Sequence, residues 1–232
     1  MKYISGILFT MLSASSASAA VIVDDFESGN PHKWTFSVTN PDSLKPSGGN
    51  PRSYLLNTLV IRHAPRVLSH PDLHTPLGVA LATASVSRIA VDAITHATSI
   101  PRSGAFALVL RATNGTPHVK DDDFAYTLAD REVPRVGEGW VSYSFDVPSG
   151  STDATPRGWN GGNHFDHGRW REGMSWPRFI HQVDQVEFWW IDPRQLGIVH
   201  DSMVGIDNVR VEISDPARET ADGTDGAGGA DY

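Results

Sequence analysis

The 232-residue chain contains no cysteine. That absence excludes disulfides, thiolate metal sites, a cysteine nucleophile and a lipidated N-terminal cysteine. Basic residues are in deficit, 19 Lys and Arg against 27 Asp and Glu, for a formal net charge of −8. Such a balance argues against nucleic acid and anionic membrane surfaces as partners. No segment has the roughly 18 consecutive apolar residues that a membrane-spanning helix needs, so no membrane insertion is expected. The G-x-S-x-G elbow, the HExxH zinc motif and the phosphate-binding P-loop are all missing. Long stretches with helical spacing are missing as well.

What is present divides the chain into three parts. Residues 1–19 read as a secretory signal: Lys2 supplies the positive start, Tyr3 to Leu12 a short apolar run, and Ala17-Ser18-Ala19 an A-x-A cleavage pattern. Export without cysteine points to a bacterial extracytoplasmic protein, periplasmic or extracellular. Residues 214–232 carry almost no bulky apolar side chain, many glycines and five acidic residues against one Arg. A segment of that composition buries too little surface to offset its ordering entropy, so a disordered acidic tail is expected. The body, residues 20–213, is long enough to form one domain without covalent staples.

Within the body, short alternating runs dominate. Phe106, Leu108 and Leu110 alternate with Ala107, Val109 and Arg111; Val141, Tyr143, Phe145 and Val147 alternate with Ser142, Ser144 and Asp146. The same holds for Val186, Phe188 and Trp190, and for Val209, Val211 and Ile213. Period two marks strands with one face on a core. Further strands are expected at 21–27, 34–38, 54–62, 79–95 and 124–128, separated by turns such as Ser47-Gly48-Gly49-Asn50-Pro51 and Asn114-Gly115-Thr116-Pro117. Eight or more strands without alternating helices imply an all-β fold, an antiparallel β-sandwich of jelly-roll type. Segments 64–78 and 148–180 read as long loops, which in compact domains are often functional or self-packed.

The body opens on Val23-Asp24-Asp25-Phe26-Glu27-Ser28-Gly29 with Trp34 after it, and closes on Gly205-Ile206-Asp207-Asn208-Val209-Arg210-Val211. With these ends the sequence resembles carbohydrate-binding modules and galactose-binding-like jelly rolls. Its central runs (GGNPRSYL, NGTP, DDDFAY, VDQVEFWW) also resemble exported bacterial sandwich proteins of laminin-B type. The resemblance implies a jelly roll that binds a polysaccharide or other glycan, and a structural calcium where the terminal strands meet.

A physical argument bears on that ion. If Val209, Val211 and Ile213 face inward, strict alternation puts Asp207 inward too, and a buried carboxylate needs a cation, hydrogen-bond donors or a change of register. Calcium takes six to eight oxygens. Glu27 and Asp207, with Asp25 next, are the expected ligands. The competing reading is a bulge or hydrogen-bonded turn at Asp207-Asn208. Asp121-Asp122-Asp123 lacks the spacing of a calcium loop and reads as a solvated turn.

Two regions are candidates for ligand contact. The loop 157–181 holds Trp159, Trp170 and Trp176 among His, Asp and Arg residues. Aromatic faces with a few polar groups suit a small-ligand site, and the same tryptophans suit a self-packed loop. His164, Asp166 and His167 lack a recognised ligand spacing. In the strand at 185–191, Glu187 and Trp189 lie on the face opposite Val186, Phe188 and Trp190. A groove there would be shared with Arg111 and Val109, or with Ser142, Ser144 and Asp146. Alternatively both faces of that strand are covered.

The expected function is therefore non-catalytic carbohydrate binding by an exported β-sandwich. Two alternatives stay open. One is a surface structural or adhesion protein with a protein partner. The other is a jelly-roll glycan hydrolase, with Glu187 and Asp146 as its carboxylates, or a lyase built from Tyr143, His181 and Arg111.

Overall fold

The computed structural model describes residues 20–27, 34–36, 43–57, 60–61, 66–69, 83, 86–98, 104–115, 121–163, 166–195 and 200–214. The expected signal over 1–19 and the tail beyond Ser214 lie outside the described residues, as does His164. The strands are β1 (Ala20–Asp24), β2 (Trp34–Phe36), β3 (Ser43–Lys45), β4 (Tyr54–Asn57), β5 (Val60–Ile61), β6 (Arg66–Ser69) and β7 (Val86–Thr98). They continue with β8 (Ala105–Ala112), β9 (Asp123–Glu132), β10 (Val141–Asp146), β11 (Trp159–Asn163), β12 (Asp166–His167), β13 (Gln185–Trp189) and β14 (His200–Ile213). Among the described residues a short helix, α1 (Trp176–Ile180), precedes β13.

The strands form two antiparallel sheets of seven. The first runs β10-β7-β14-β4-β3, with β1 and β5 also paired to β14; the second runs β12-β11-β9-β8-β13-β6-β2. The chain changes sheet repeatedly, as a jelly roll requires. The inner residues of each expected alternation meet between the sheets. Phe106 of β8 lies 4.2 Å from the Tyr143 ring and 6.2 Å from that of Phe145, both on β10 in the opposite sheet. It also stacks on Phe188 at 6.1 Å and meets Trp190 edge-on at 5.1 Å. Offset and edge-to-face pairs of this kind add to the burial that drives the layers together.

The first and last strands are neighbours: β1 pairs along Val209–Ile213 of β14, Ala20 opposite Ile213 and Asp24 opposite Val209. The strict alternation expected for β14 fails at one point. Its register against β7 shifts between Asp207 and Arg210, and Asn208 takes φ 49°. Asn tolerates that left-handed backbone better than most residues. The extra residue puts Val204 and Ile206 on the core before it and Val209 and Val211 on the core after it. Asp207 therefore points away from the core, and the bulge is the reading that the coordinates show.

The long segment at 148–180 is not a plain loop. It carries β11, β12 and α1, and its aromatic side chains join the inter-sheet core. Trp176 and Phe179 are fully buried, and Trp159 sits 5.0 Å from Trp176. The Trp170 ring lies on Gly161, where a Cβ would come within 2.1 Å of it. Segment 64–78, also expected as loop, contains β6. Phe106→Ala is expected to cost about 3–5 kcal/mol by removing the ring that links the sheets. A loss below about 1 kcal/mol in chemical denaturation would contradict that packing.

Candidate functional site

Register assembles one set of side chains on the outer face of the second sheet. Arg111 stands opposite Phe124 on one side and Gln185 on the other; Val109 stands between Tyr126 and Glu187; Ala107 stands between Leu128 and Trp189. These three rows contribute a buried cluster separate from the inter-sheet core, made of Ala107, Val109, Phe124, Tyr126, Trp189 and Ile191.

A polar network runs through the same rows. The Glu187 carboxylate accepts from Arg111 Nε at 2.6 Å, Gln185 Nε2 at 2.6 Å and Trp189 Nε1 at 2.5 Å. Arg111 Nη1 also donates to Asp122 at 3.2 Å, and its guanidinium carbon lies 5.7 Å from the Phe124 ring centre. Burial by itself lowers the Arg111 pKa, but Glu187 and then Asp122 outweigh it and hold the group above its usual value. Burial raises Asp122, against the pull of Arg111. The guanidinium is therefore a fixed cation between two carboxylates, in surroundings where leaving any of them unpaired is costly. The face is closed: Trp189 is 6% exposed and Glu187 0%. Both faces of β13 are thus covered, which accounts for its near-continuous apolar run.

The sequence-predicted residues separate into three places. Trp189, Glu187 and Arg111 come together on this face. Trp159 and Trp176 belong to the inter-sheet core and Trp170 packs against it. Their indole nitrogens are tied to the neighbouring segment: Trp176 donates to the Pro148 carbonyl at 2.9 Å and Trp170 to the Thr155 hydroxyl at 2.9 Å. Asp146 lies on the outer side of the other sheet, paired with Arg88 at 2.9 Å, so it does not oppose Glu187 across a groove. Tyr143 is buried and donates to the Glu132 carbonyl at 2.7 Å. It does not share a site with Arg111.

Glu27, Asp25 and Asp207 lie at the other sheet, around the loop that precedes β4. Asp207 accepts from the backbone N–H of Asn50 at 2.6 Å and of Asn208 at 2.7 Å. Glu27 accepts from the Ser53 N–H at 2.9 Å and pairs with Arg52 at 3.2 Å. The Asp25 carboxylate caps the Glu27 N–H at 3.1 Å. Asp92, directly across from Asp207 in β7, accepts from the side chains of Asn50, Asn208 and Ser142. Glu27 and Asp207 thus hold the same loop from two sides. Among the described residues no three His, Cys, Asp or Glu side chains gather as a metal cluster. The Asn50 and Asn208 side-chain amides turn their nitrogens to Asp92, so the groups here that a hard cation could take are the carboxylate and backbone carbonyl oxygens.

Asp92, Tyr126 and Gln185 were not singled out from the sequence, and Asp122 and Asp123, expected in a solvated turn, are instead buried and paired with Arg111 and Arg171. Asp92 had a signal, a lone acid inside the apolar run RIAVDAI. The others depend on cross-strand register, which the sequence does not display.

No protein-family model matches the chain, and no curated protein matches it. Solved structures are similar in outline. A family 11 carbohydrate-binding module from Clostridium thermocellum, in complex with a β-1,3-1,4-mixed-linked tetrasaccharide, is 13% identical with a TM-score of 0.48, over 86% of this chain and 98% of that one. The CBM22-2 xylan-binding domain of Xyn10C from Paenibacillus barcinonensis is 13% identical with a TM-score of 0.42, over 83% and 99%. Identity this low assigns no role to any residue of the chain.

Burial, followed by the charges of Asp92 and Glu27, pushes the Asp207 carboxyl from 3.8 up to about 6, against the pull of its two N–H donors. Between those values the folded protein keeps a proton that the unfolded chain has released, so stability falls as pH rises. In chelator-treated buffer the wild type is expected to lose ground to Asp207→Asn as pH climbs from about 4 to about 6, and to hold a constant difference above that. Denaturation midpoints across pH 4–7 check the sign.

Proposed function

We propose that the protein is an exported, non-catalytic carbohydrate-binding module whose glycan contacts lie on the outer face of the second sheet. The observation that carries this reading is the ordered face itself. Trp189, Tyr126 and Phe124 supply ring surface, and Arg111, Gln185 and Glu187 supply donors and acceptors, all fixed by strand register. A small-ligand site needs apolar lining with a few placed polar groups. Because the face is closed, a glycan reaches it only as the covering atoms give way, and association is expected to be slower than for an open groove.

Xylan and mixed-linkage β-glucan are the first probes. Trp189→Ala and Arg111→Met are expected to weaken retention on the bound polysaccharide by about tenfold, with Trp170→Ala retained as wild type. Because these groups are buried, each variant's melting temperature is measured alongside. No retention by a panel of glycans would remove the proposal. The alternative reading, a surface protein that docks a protein partner, is favoured by one feature: Val21 and Val23 are each 52% exposed on β1.

We also propose a structural calcium at Glu27 and Asp207, with Asp25 and backbone carbonyls of the loop at 48–53 completing the oxygen set. What supports it is charge. Glu27, Asp92 and Asp207 are close enough to influence one another, while their cationic neighbour Arg52 is 74% exposed in its side chain. A cation that binds only the native state stabilises it by mass action. EDTA is expected to lower the melting temperature by several degrees and calcium, but not magnesium, to restore it. An unchanged melting temperature would exclude a stabilising ion.

A further inference from the structure

A concavity lies where β10, at the edge of the first sheet, approaches β9 and β11 of the second. It has a volume of about 200 Å³ and is lined by Thr127, Asp130, Ser144, Asp146, Arg157 and Trp159 among others. This is below the roughly 300–1,000 Å³ of drug-sized sites, and suits one small polar ligand. Its walls are held. Thr127 stands opposite Trp159 in the sheet, and the Thr127 hydroxyl donates to the Gly158 carbonyl at 2.9 Å. The Trp159 indole N–H donates to the Asp146 carbonyl at 3.3 Å, which ties the two sheets across the floor. Trp159 is 8% exposed, so it offers a narrow apolar floor, not a broad stacking face.

Around that floor stand two carboxylates, a guanidinium and a hydroxyl, on the exposed residues Asp130, Asp146, Arg157 and Ser144. Charged acceptors and a forked donor are the groups that hold vicinal hydroxyls by paired hydrogen bonds. Asp146 is already paired with Arg88 at 2.9 Å, so two carboxylates stand against two guanidinia, a balance that suits a neutral ligand. The site is a pocket at an edge and not a trough along a sheet, so it suits a terminal unit better than the middle of a polymer.

We propose that this seam pocket binds the terminal residue of a neutral glycan. It is separate from the Trp189 face and does not depend on it. Linking two weak contacts in one rigid domain would raise retention on a branched or short-chained glycan through effective concentration.

The test follows the Trp159 indole N–H by NMR in the whole protein, titrated with methyl β-glucoside, methyl β-xyloside, methyl β-galactoside and glucuronate. At least one neutral glycoside is expected to shift that signal saturably, with a dissociation constant in the millimolar range and glucuronate weaker. Asp130→Ala and Arg157→Ala, both at exposed positions, are each expected to weaken the effect about fivefold or more. Absence of a saturable shift with all three neutral glycosides would overturn the proposal. So would a shift that survives both substitutions, or tighter binding of glucuronate. Polysaccharide retention by the unsubstituted protein separates the two readings: retention without a saturable shift of the Trp159 signal removes this site alone.

Discussion

The one-residue slip in β14 at Asp207-Asn208 decides what each face of the first sheet presents. β14 pairs with β1, β4, β5 and β7, so its phase is imposed on most of that sheet. Without the slip, either Val209 and Val211 would leave the core, or Ile206 would leave it and Asp207 would enter beside Val209. With it, apolar residues stay inward on both sides of the bulge, and the carboxylate meets Asp92 and the Gly49-Asn50 backbone on the outside. Gly49 has to be glycine for this approach, since a Cβ there would come within 2.8 Å of the Asp207 carboxylate. One unusual backbone residue, Asn208, thus sets both the integrity of the core and the position of the acidic loop anchor.

The second sheet solves a different problem. Its central strands β8 and β13 are buried on both faces, so polar side chains on the outer face need partners within the protein. Arg111, Glu187, Gln185 and Asp122 meet that need by pairing with one another across strands. The result is a rigid charged seam beneath aromatic rings. Such a network contributes to a unique register more than to net stability, because desolvation offsets much of the attraction.

Much of the fold was legible from period two alone. The inward sets Phe106-Leu108-Leu110, Val141-Tyr143-Phe145 and Val186-Phe188-Trp190 were readable because each lies in a strand of constant phase. β14 was readable only in halves, since a bulge leaves no mark in the sequence beyond an Asp-Asn pair. The strands β3, β6, β11 and β12 were not expected. They are short, and WNGGN has glycines where a strand usually has side chains, for a reason visible only in space: the Trp170 ring occupies that volume. Of the candidate residues, Trp189, Glu187 and Arg111 were found because alternation placed them opposite the core. Trp159, Trp170 and Trp176 drew attention by composition, which does not distinguish a packed ring from a presented one.

The adjacency of β1 and β14 bears on how the chain acquires its structure. The strand at residues 20–24 finds its partner nearly 190 positions later, and β4 and β7 also wait for β14. Contacts so distant along the chain close large loops before they return any stabilisation, which slows folding relative to domains built from local pairs. Until the last strand is available the first sheet lacks its central member. A chain still lacking residues 200–213 therefore cannot complete that sheet.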